Sequence, residues 1–144
     1  MRILGLDYGE KKVGLAVSDE MGITAQGLPT LVRKGLEKDL AALEKVIRQF
    51  AVEKIVIGYP LRLDGTEGIQ CGKVNRFAGI LEKRFALPVI KRDETLTTSQ
   101  AEEILSEARA SRKKRKAAVD KLAAMIILQG YLDQAKTKRT EGDV

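Results

Sequence analysis

The sequence predicts an α/β domain in which a five-stranded mixed sheet is flanked by helices. Near the start, two apolar runs are separated by a short polar segment that contains Gly9, a pattern typical of an antiparallel hairpin. Helical and extended patterns then alternate, which indicates parallel strands covered by helices. A length of 144 residues fits one domain. We expect this domain to cover residues 1–135 and a disordered tail to follow at 136–144.

The first three strands are predicted at residues 3–7, 13–19 and 24–33. The third contains Pro29, which lacks a backbone N–H and therefore places part of this strand at a sheet edge or at a bulge. The remaining strands are short apolar runs at 54–58 and 88–92. The leading three strands thus supply the antiparallel part of the sheet.

The helices are predicted from apolar residues that recur every three or four positions. In the first helix, at 35–50, these residues are Leu36, Leu40, Leu43, Ile47 and Phe50. Further helices are predicted at 69–85, at 97–108 and at 116–135. The third opens with Thr97 and Gln100, whose spacing fits a capping box.

The composition excludes several kinds of catalytic site. The chain has no histidine and a single cysteine, Cys71, which rules out Ser-His-Asp and Cys-His nucleophile systems, His/Cys zinc sites and an internal disulfide. Carboxylates remain as side-chain metal ligands, and they favour Mg²⁺ or Mn²⁺. No apolar run is long enough for a membrane span, so we expect a cytoplasmic setting without membrane contact.

Three acidic residues lie at positions that suit catalysis. Asp7 closes the first strand, Glu94 follows the fifth strand beside Asp93, and Asp120 lies about one turn into the last helix. Each has an ordinary structural alternative: a turn cap for Asp7, and a favourable interaction with a helix N-terminus for the others. Together they predict a site where one or two divalent ions would activate water against a phosphodiester.

A basic segment precedes Asp120 and is a candidate for binding nucleic acid. Six of its eight residues are basic, and these are Arg109, Arg112, Lys113, Lys114, Arg115 and Lys116. With 26 Lys and Arg against 20 Asp and Glu, the chain carries a net charge of +6. Such a run is often only solvated, but its place beside a predicted metal ligand favours contact with a phosphate backbone.

Four segments, in order, resemble the motifs of the YqgF (RuvX) family. They are 7–19 (DYGEKKVGLAVSD), 57–61 with 64–67 (IGYPL and DGTE), 93–98 (DETLTT) and 119–124 (VDKLAA). The resemblance implies a ribonuclease H-like fold related to Holliday-junction resolvases. It also maps the family's catalytic acids onto Asp7, Glu94 and Asp120. Related resolvases carry an acid near the end of the fourth strand, where this chain has Gly58 and Tyr59.

The resemblance implies a nuclease that processes the 5′ end of pre-16S ribosomal RNA, and the three acids predict an endonuclease that uses Mg²⁺ or Mn²⁺. The expected partner is structured RNA or branched DNA, bound by a monomer or a homodimer. Two alternatives are resolution of four-way DNA junctions and a non-catalytic nucleic-acid-binding role. An actin-like phosphotransferase, suggested by Asp7 and Gly9, would need two lobes, and this chain has length for one.

Overall fold

The computed structural model describes residues 1–62, 64–94 and 112–142, without the side chains of residues 112–118, 120 and 137–142. Within these ranges it contains five strands and three helices. The strands are β1 (Arg2–Tyr8), β2 (Lys12–Ser18), β3 (Ala25–Val32), β4 (Val52–Tyr59) and β5 (Val89–Asp93). The helices are α1 (Leu36–Gln49), α2 (Ile69–Phe85) and α3 (Arg112–Gly142).

The five strands form one mixed sheet in the order β3-β2-β1-β4-β5. β1 pairs antiparallel with β2, and β2 antiparallel with β3. β1 pairs parallel with β4, and β4 parallel with β5. The predicted mixed sheet with leading antiparallel strands is therefore confirmed, and the acid singled out from the sequence, Asp7, is the next-to-last residue of its central strand.

β3 lies at the edge of the sheet and is irregular where Pro29 occurs. Its pairing with β2 shifts register between the pairs Val13–Leu31 and Leu15–Leu28, so β3 has one residue more than β2 between them. An extra residue on one strand is a β-bulge, which accommodates a residue that cannot donate to the ladder. The interpretation of Pro29 as an edge or bulge residue is confirmed.

The two faces of the sheet are covered by different helices. Leu4 and Leu6 of β1 pack in a core with residues of α1 and α2, whereas Ile3 packs with residues of α3. Because successive residues of a strand point to opposite faces, Asp7 lies on the α3 face and Tyr8 on the face of α1 and α2. The end of β1 thus presents one acidic and one aromatic side chain on opposite sides of the sheet.

The predicted bounds of the last helix were too short. α3 runs from Arg112 to Gly142 rather than from 116 to 135. Residues 112–129 contain no glycine or proline, and lysine and arginine are good helix formers, so the basic segment continues the helix. The bounds of α2 agree with the prediction. The helix predicted at 97–108 lies outside the described residues, and the domain boundary at 135 stays a prediction.

Within the described residues, no helix has the length and apolar character that crossing a membrane requires.

Candidate active site at the carboxyl ends of the parallel strands

Asp7 is held at the end of the central strand by pairing on both sides. It lies opposite Gly14 of β2, and the preceding Leu6 lies opposite Ile57 of β4. The next residue along β4 is Gly58, so Asp7 and Gly58 lie side by side at the carboxyl ends of two parallel strands. This is the edge of an open α/β sheet where ligands commonly bind.

Glu94 reaches Asp7 by crossing over a glycine. It follows β5, and its backbone N–H donates to the Tyr59 carbonyl at 3.1 Å. A Cβ atom added to Gly58 would lie 2.6 Å from Glu94 Cδ and 2.7 Å from Ile127 Cδ1. The Glu94 carboxyl therefore occupies the space that any other residue at position 58 would fill, on the side of the sheet that carries α3.

The two carboxyl groups are in direct contact. Glu94 is half-buried and hydrogen-bonded to the Asp7 side chain. Burial first, and then the negative charge and hydrogen bond of Asp7, raise the pKa of Glu94 from 4.5 to about 9. Two carboxylates this close cannot both ionise easily, so the pair retains a proton at neutral pH unless a cation replaces it.

Asp93 contributes charge beside the acid pair. Its side chain is exposed, and its negative charge adds a smaller upward contribution to the pKa of Glu94. Glu94 is the member of the Asp93–Glu94 motif whose carboxyl group is hydrogen-bonded to Asp7.

The backbone of α3 leads residue 120 towards the same end of the sheet. Lys54, near the start of β4, contacts Tyr131, while Gly58 at its other end lies against Ile127. α3 therefore runs antiparallel to β4, and its earlier residues lie towards the carboxyl ends of the parallel strands. The side chain of Asp120 lies outside the described part of the chain, so its contact with the acid pair stays a prediction.

Comparison with known proteins identifies the family. The RuvX family, described as "Holliday junction resolvase", matches residues 1–134. The chain belongs to the RuvX family. A relative from Syntrophus aciditrophicus is 57% identical over 143 residues, covering 99% of this chain and 95% of its own. A second, from Koribacter versatilis, is 51% identical over 140 residues, covering 97% and 92%. Both carry the name "Putative pre-16S rRNA nuclease".

Two solved structures share the fold of this RuvX chain. Thermus thermophilus RuvC in complex with a Holliday junction substrate superposes with a TM-score of 0.55 at 18% identity, covering 94% of this chain and 96% of its own. The fowlpox virus resolvase in complex with Holliday junction DNA gives 0.57 at 12% identity, covering 94% and 99%. The ribonuclease H-like fold implied by the sequence resemblance is confirmed.

The acid pair of this RuvX chain fits a hard divalent cation. Its oxygen donors are the ligands that Mg²⁺ and Mn²⁺ prefer, and a bound cation would relieve the unfavourable contact of the two acids. Among the side chains that the structure describes, no group of three or more His, Cys, Asp or Glu residues has the geometry to hold a metal ion. The predicted third ligand, Asp120, was not among them.

The basic segment and the loop after β4 add no described side chain to the acid pair. Arg109 lies outside the described residues, and the remaining basic positions, 112–116, belong to α3 without described side chains. In the loop after β4, Asp64 accepts hydrogen bonds from the Thr66 N–H and hydroxyl at 3.0 and 2.6 Å. Asp64 therefore shapes its own turn.

The sequence did not reveal the part that Gly58 plays. A glycine within a predicted strand indicates a close approach by another group, but the identity of that group depends on the strand order. Here the approaching group is the carboxyl of Glu94.

Proposed function

We propose that this protein is a divalent-metal-dependent endonuclease that hydrolyses phosphodiester bonds of structured RNA, with the 5′ end of pre-16S ribosomal RNA as its substrate. The observation that carries the proposal is the hydrogen-bonded pair of Asp7 and Glu94 at the carboxyl ends of adjacent strands. The names of its relatives supply the substrate. A precursor rRNA also fits the cytoplasmic setting expected from the sequence.

The roles of the residues follow from their chemistry. Asp7 and Glu94, with Asp120 from α3, would hold Mg²⁺ or Mn²⁺ through carboxylate oxygens. When bound, the metal supplies an activated water and stabilises charge on the phosphoryl oxygens. The basic residues 109–116 would bind the substrate backbone, since Lys and Arg neutralise phosphates irrespective of base sequence.

A second candidate substrate is a four-way DNA junction, which the description of the RuvX family favours. Symmetric resolution of a junction uses two active sites related by a two-fold axis. The same acid pair would serve either substrate, so substrate choice is tested separately from the mechanism.

Replacing Asp7 by Asn tests the mechanism. The substitution keeps the shape of the side chain but removes a charge that a divalent cation needs. We expect Asp7→Asn to lower the rate of cleavage by at least about 100-fold, a loss that can follow removal of even an outer partner of a metal ligand. Cleavage is measured on a precursor fragment that spans the 5′ end of 16S rRNA, with Mg²⁺, with Mn²⁺ and with chelator.

Asp133→Asn is the matched control, because Asp133 is exposed on α3 and accepts a hydrogen bond at 3.0 Å from Gln129 of the same helix. It should cleave like the wild type. Unchanged hydrolysis by Asp7→Asn would overturn the mechanism. Cleavage of a four-way junction in preference to the RNA would favour the resolvase, and metal-independent binding of both without cleavage would favour a non-catalytic role.

A further inference from the structure

A cationic pocket lies on the opposite face of the sheet from the acid pair, at the same end of β1. Its volume is about 490 Å³, within the range of roughly 300–1,000 Å³ typical of small-molecule sites. Tyr8 lines it, and the Tyr8 ring stacks on the nearly buried Phe77 ring with centroids 4.5 Å apart. Tyr8 directly follows Asp7, so this Tyr8 pocket begins one residue, or about 3.8 Å along the backbone, from the proposed catalytic acid.

The charge lining the Tyr8 pocket is predominantly positive. Arg33, Lys73 and Arg76 contribute three cations, whereas Glu10 contributes one carboxylate. The buried Asp39 lies behind Arg33 and pairs with its Nε at 3.6 Å, which still leaves the region net positive. A pocket of this kind favours an anionic occupant.

Arg33 is fixed in place before any ligand binds. Its Nη1 donates to the carbonyls of Gly9 and Glu10 at 3.0 and 3.1 Å, and its guanidinium lies 4.8 Å from the centre of the Tyr8 ring. Little side-chain freedom is left to lose, so binding an anion beside it costs less entropy.

The other two cationic side chains, Lys73 and Arg76, are available to bind a phosphate. Lys73 Nζ pairs with Glu10 Oε1 at 3.0 Å, but the two side chains are 43% and 69% exposed, so the pair is weak. Arg76 is exposed on the next turn of α2, and within the described part of the chain it forms no salt bridge. A phosphate could take the place of the Glu10 carboxylate at Lys73 and be held by Arg76 as well.

The apolar part of the lining suits the remainder of a nucleotide. Leu36 at the start of α1 and Ile80 of α2 complete the pocket beside Phe77, and the Leu36 side chain is exposed. Cationic grooves combined with apolar and aromatic surfaces are typical of sites for single-stranded nucleic acid. A rigid duplex would not enter a pocket of this size.

We propose that the Tyr8 pocket binds one nucleotide of a single-stranded segment of the RNA substrate, with its phosphate at Lys73 and Arg76. The strand passes around the end of β1 from the acid pair on one face to the pocket on the other. The choice of nucleic acid rather than another polyanion rests on the proposed function, and the position of the pocket beside Asp7 is what links the two.

The test measures binding without cleavage. Asp7→Asn protein in chelator is titrated with a fluorescent 12-nucleotide single-stranded RNA at several salt concentrations. We expect Lys73→Gln and Arg76→Gln each to weaken binding by about fivefold or more, and to make the slope of log K against log salt shallower by about 0.7 per lost phosphate contact. The matched controls are Lys45→Gln and Arg48→Gln, exposed residues towards the far end of α1.

Glu10→Gln should strengthen RNA binding, whereas Lys73→Gln and Arg76→Gln weaken it. It removes the carboxylate that competes with phosphate for Lys73, so we expect binding roughly threefold tighter. A purely structural role for the Lys73–Glu10 pair predicts weaker binding for both variants. Weaker or unchanged binding by Glu10→Gln would therefore contradict the exchange of phosphate for carboxylate.

Two further probes identify the occupant. Binding of a blunt 12-base-pair RNA duplex should not change when Lys73 or Arg76 is replaced. If duplex binding weakens as much as single-strand binding does, the assignment to a single strand is overturned. Neither substitution should change the binding of a polyglutamate peptide. If the substitutions weaken peptide binding and leave RNA binding unchanged, the pocket binds an acidic protein segment and the proposal fails. Because no step requires cleavage, a protein that proves not to be a nuclease can still give the expected binding results.

Discussion

At the scale of single residues, the site depends on one glycine as much as on its acids. Glu94 can contact Asp7 only because Gly58 leaves room for its carboxyl over β4. The chain has no acid at the end of β4, where Gly58 and Tyr59 stand, while the carboxyl group of Glu94 lies over Gly58. A carboxylate supplied from β5 instead of β4 still faces the acid of β1.

Gly58→Ala should separate activity from stability. The added Cβ would lie 2.6 Å from Glu94 Cδ, but the atoms it meets are the ends of Glu94 and Ile127, which can move. We expect a small loss of stability and a loss of cleavage rate of about 10- to 100-fold, because displacing a catalytic group by about 1 Å has effects of this size. Urea denaturation and RNA cleavage measure the two quantities.

Gly79→Ala is the control, since a Cβ at Gly79 of α2 meets nothing within 4 Å. It should leave cleavage unchanged and raise stability slightly, because alanine is the better helix former. A Gly58→Ala protein with full activity would show that the position of Glu94 over Gly58 is unimportant.

At the scale of elements, α3 connects the sheet to the site. Glycines on three strands let this helix approach: added Cβ atoms would lie 2.7 Å from Leu128 Cβ at Gly5, 2.8 Å from Lys121 Cγ at Gly27 and 2.7 Å from Ile127 Cδ1 at Gly58. On the helix side, Ala123 and Ala124 are fully buried. Small residues on both surfaces bring the backbone of α3 close to β1 and so fix the placement of residue 120.

Gly5→Ala should displace α3. The new Cβ would meet Leu128 Cβ at 2.7 Å and the Ala124 carbonyl oxygen at 3.3 Å, neither of which is the tip of a flexible side chain. Overpacking of this kind costs about 1–3 kcal/mol, so we expect the free energy of unfolding to fall by that amount in urea denaturation. Cleavage should fall as well if Asp120 acts from α3.

Gly72→Ala on α2, where an added Cβ meets nothing within 4 Å, is the control for Gly5→Ala. Equal stability of the two variants would show that α3 does not depend on contact with Gly5.

The elements were predictable because their signals are local. The bounds of α2 and the irregular edge strand at Pro29 follow from periodicity and backbone chemistry within a few residues. The contact between Glu94 and Asp7 was only an expectation, because it requires β4 to lie between β1 and β5. Strand order is decided by packing between distant segments, and the same holds for the Tyr8 pocket, which joins α2 to the β1–β2 turn.

At the scale of the whole molecule, the fold maintains a contact that is unfavourable by itself. Asp7 and Glu94 come from opposite halves of the sequence, and two separate apolar cores on the two faces of the sheet hold their strands together. Burial and the Asp7 charge raise the pKa of Glu94 to about 9. The stability of the metal-free protein should therefore depend on pH.

The sign of this dependence follows from the direction of the shift. The folded protein keeps a proton on Glu94 that the unfolded chain releases above its ordinary pKa of 4.5, so raising the pH favours unfolding. The contribution is fully present below 4.5 and is lost as the pH rises towards about 9. In chelator we expect Tm to fall between pH 5 and pH 8, and Mg²⁺ at pH 8 to raise it again, because the ion binds only the folded acid pair.

Glu94→Gln should remove both effects, since glutamine has no proton to release and contributes no charge to a cation. Glu44→Gln, which alters an exposed helix pair with Arg48, should keep the slope of the wild type. Differential scanning fluorimetry from pH 5 to pH 9, with chelator and with Mg²⁺, compares the three proteins. If Glu94→Gln and wild type show parallel curves of Tm against pH, the contact between Asp7 and Glu94 does not destabilise the metal-free protein. If Mg²⁺ raises the Tm of both proteins equally, the metal does not bind at this contact.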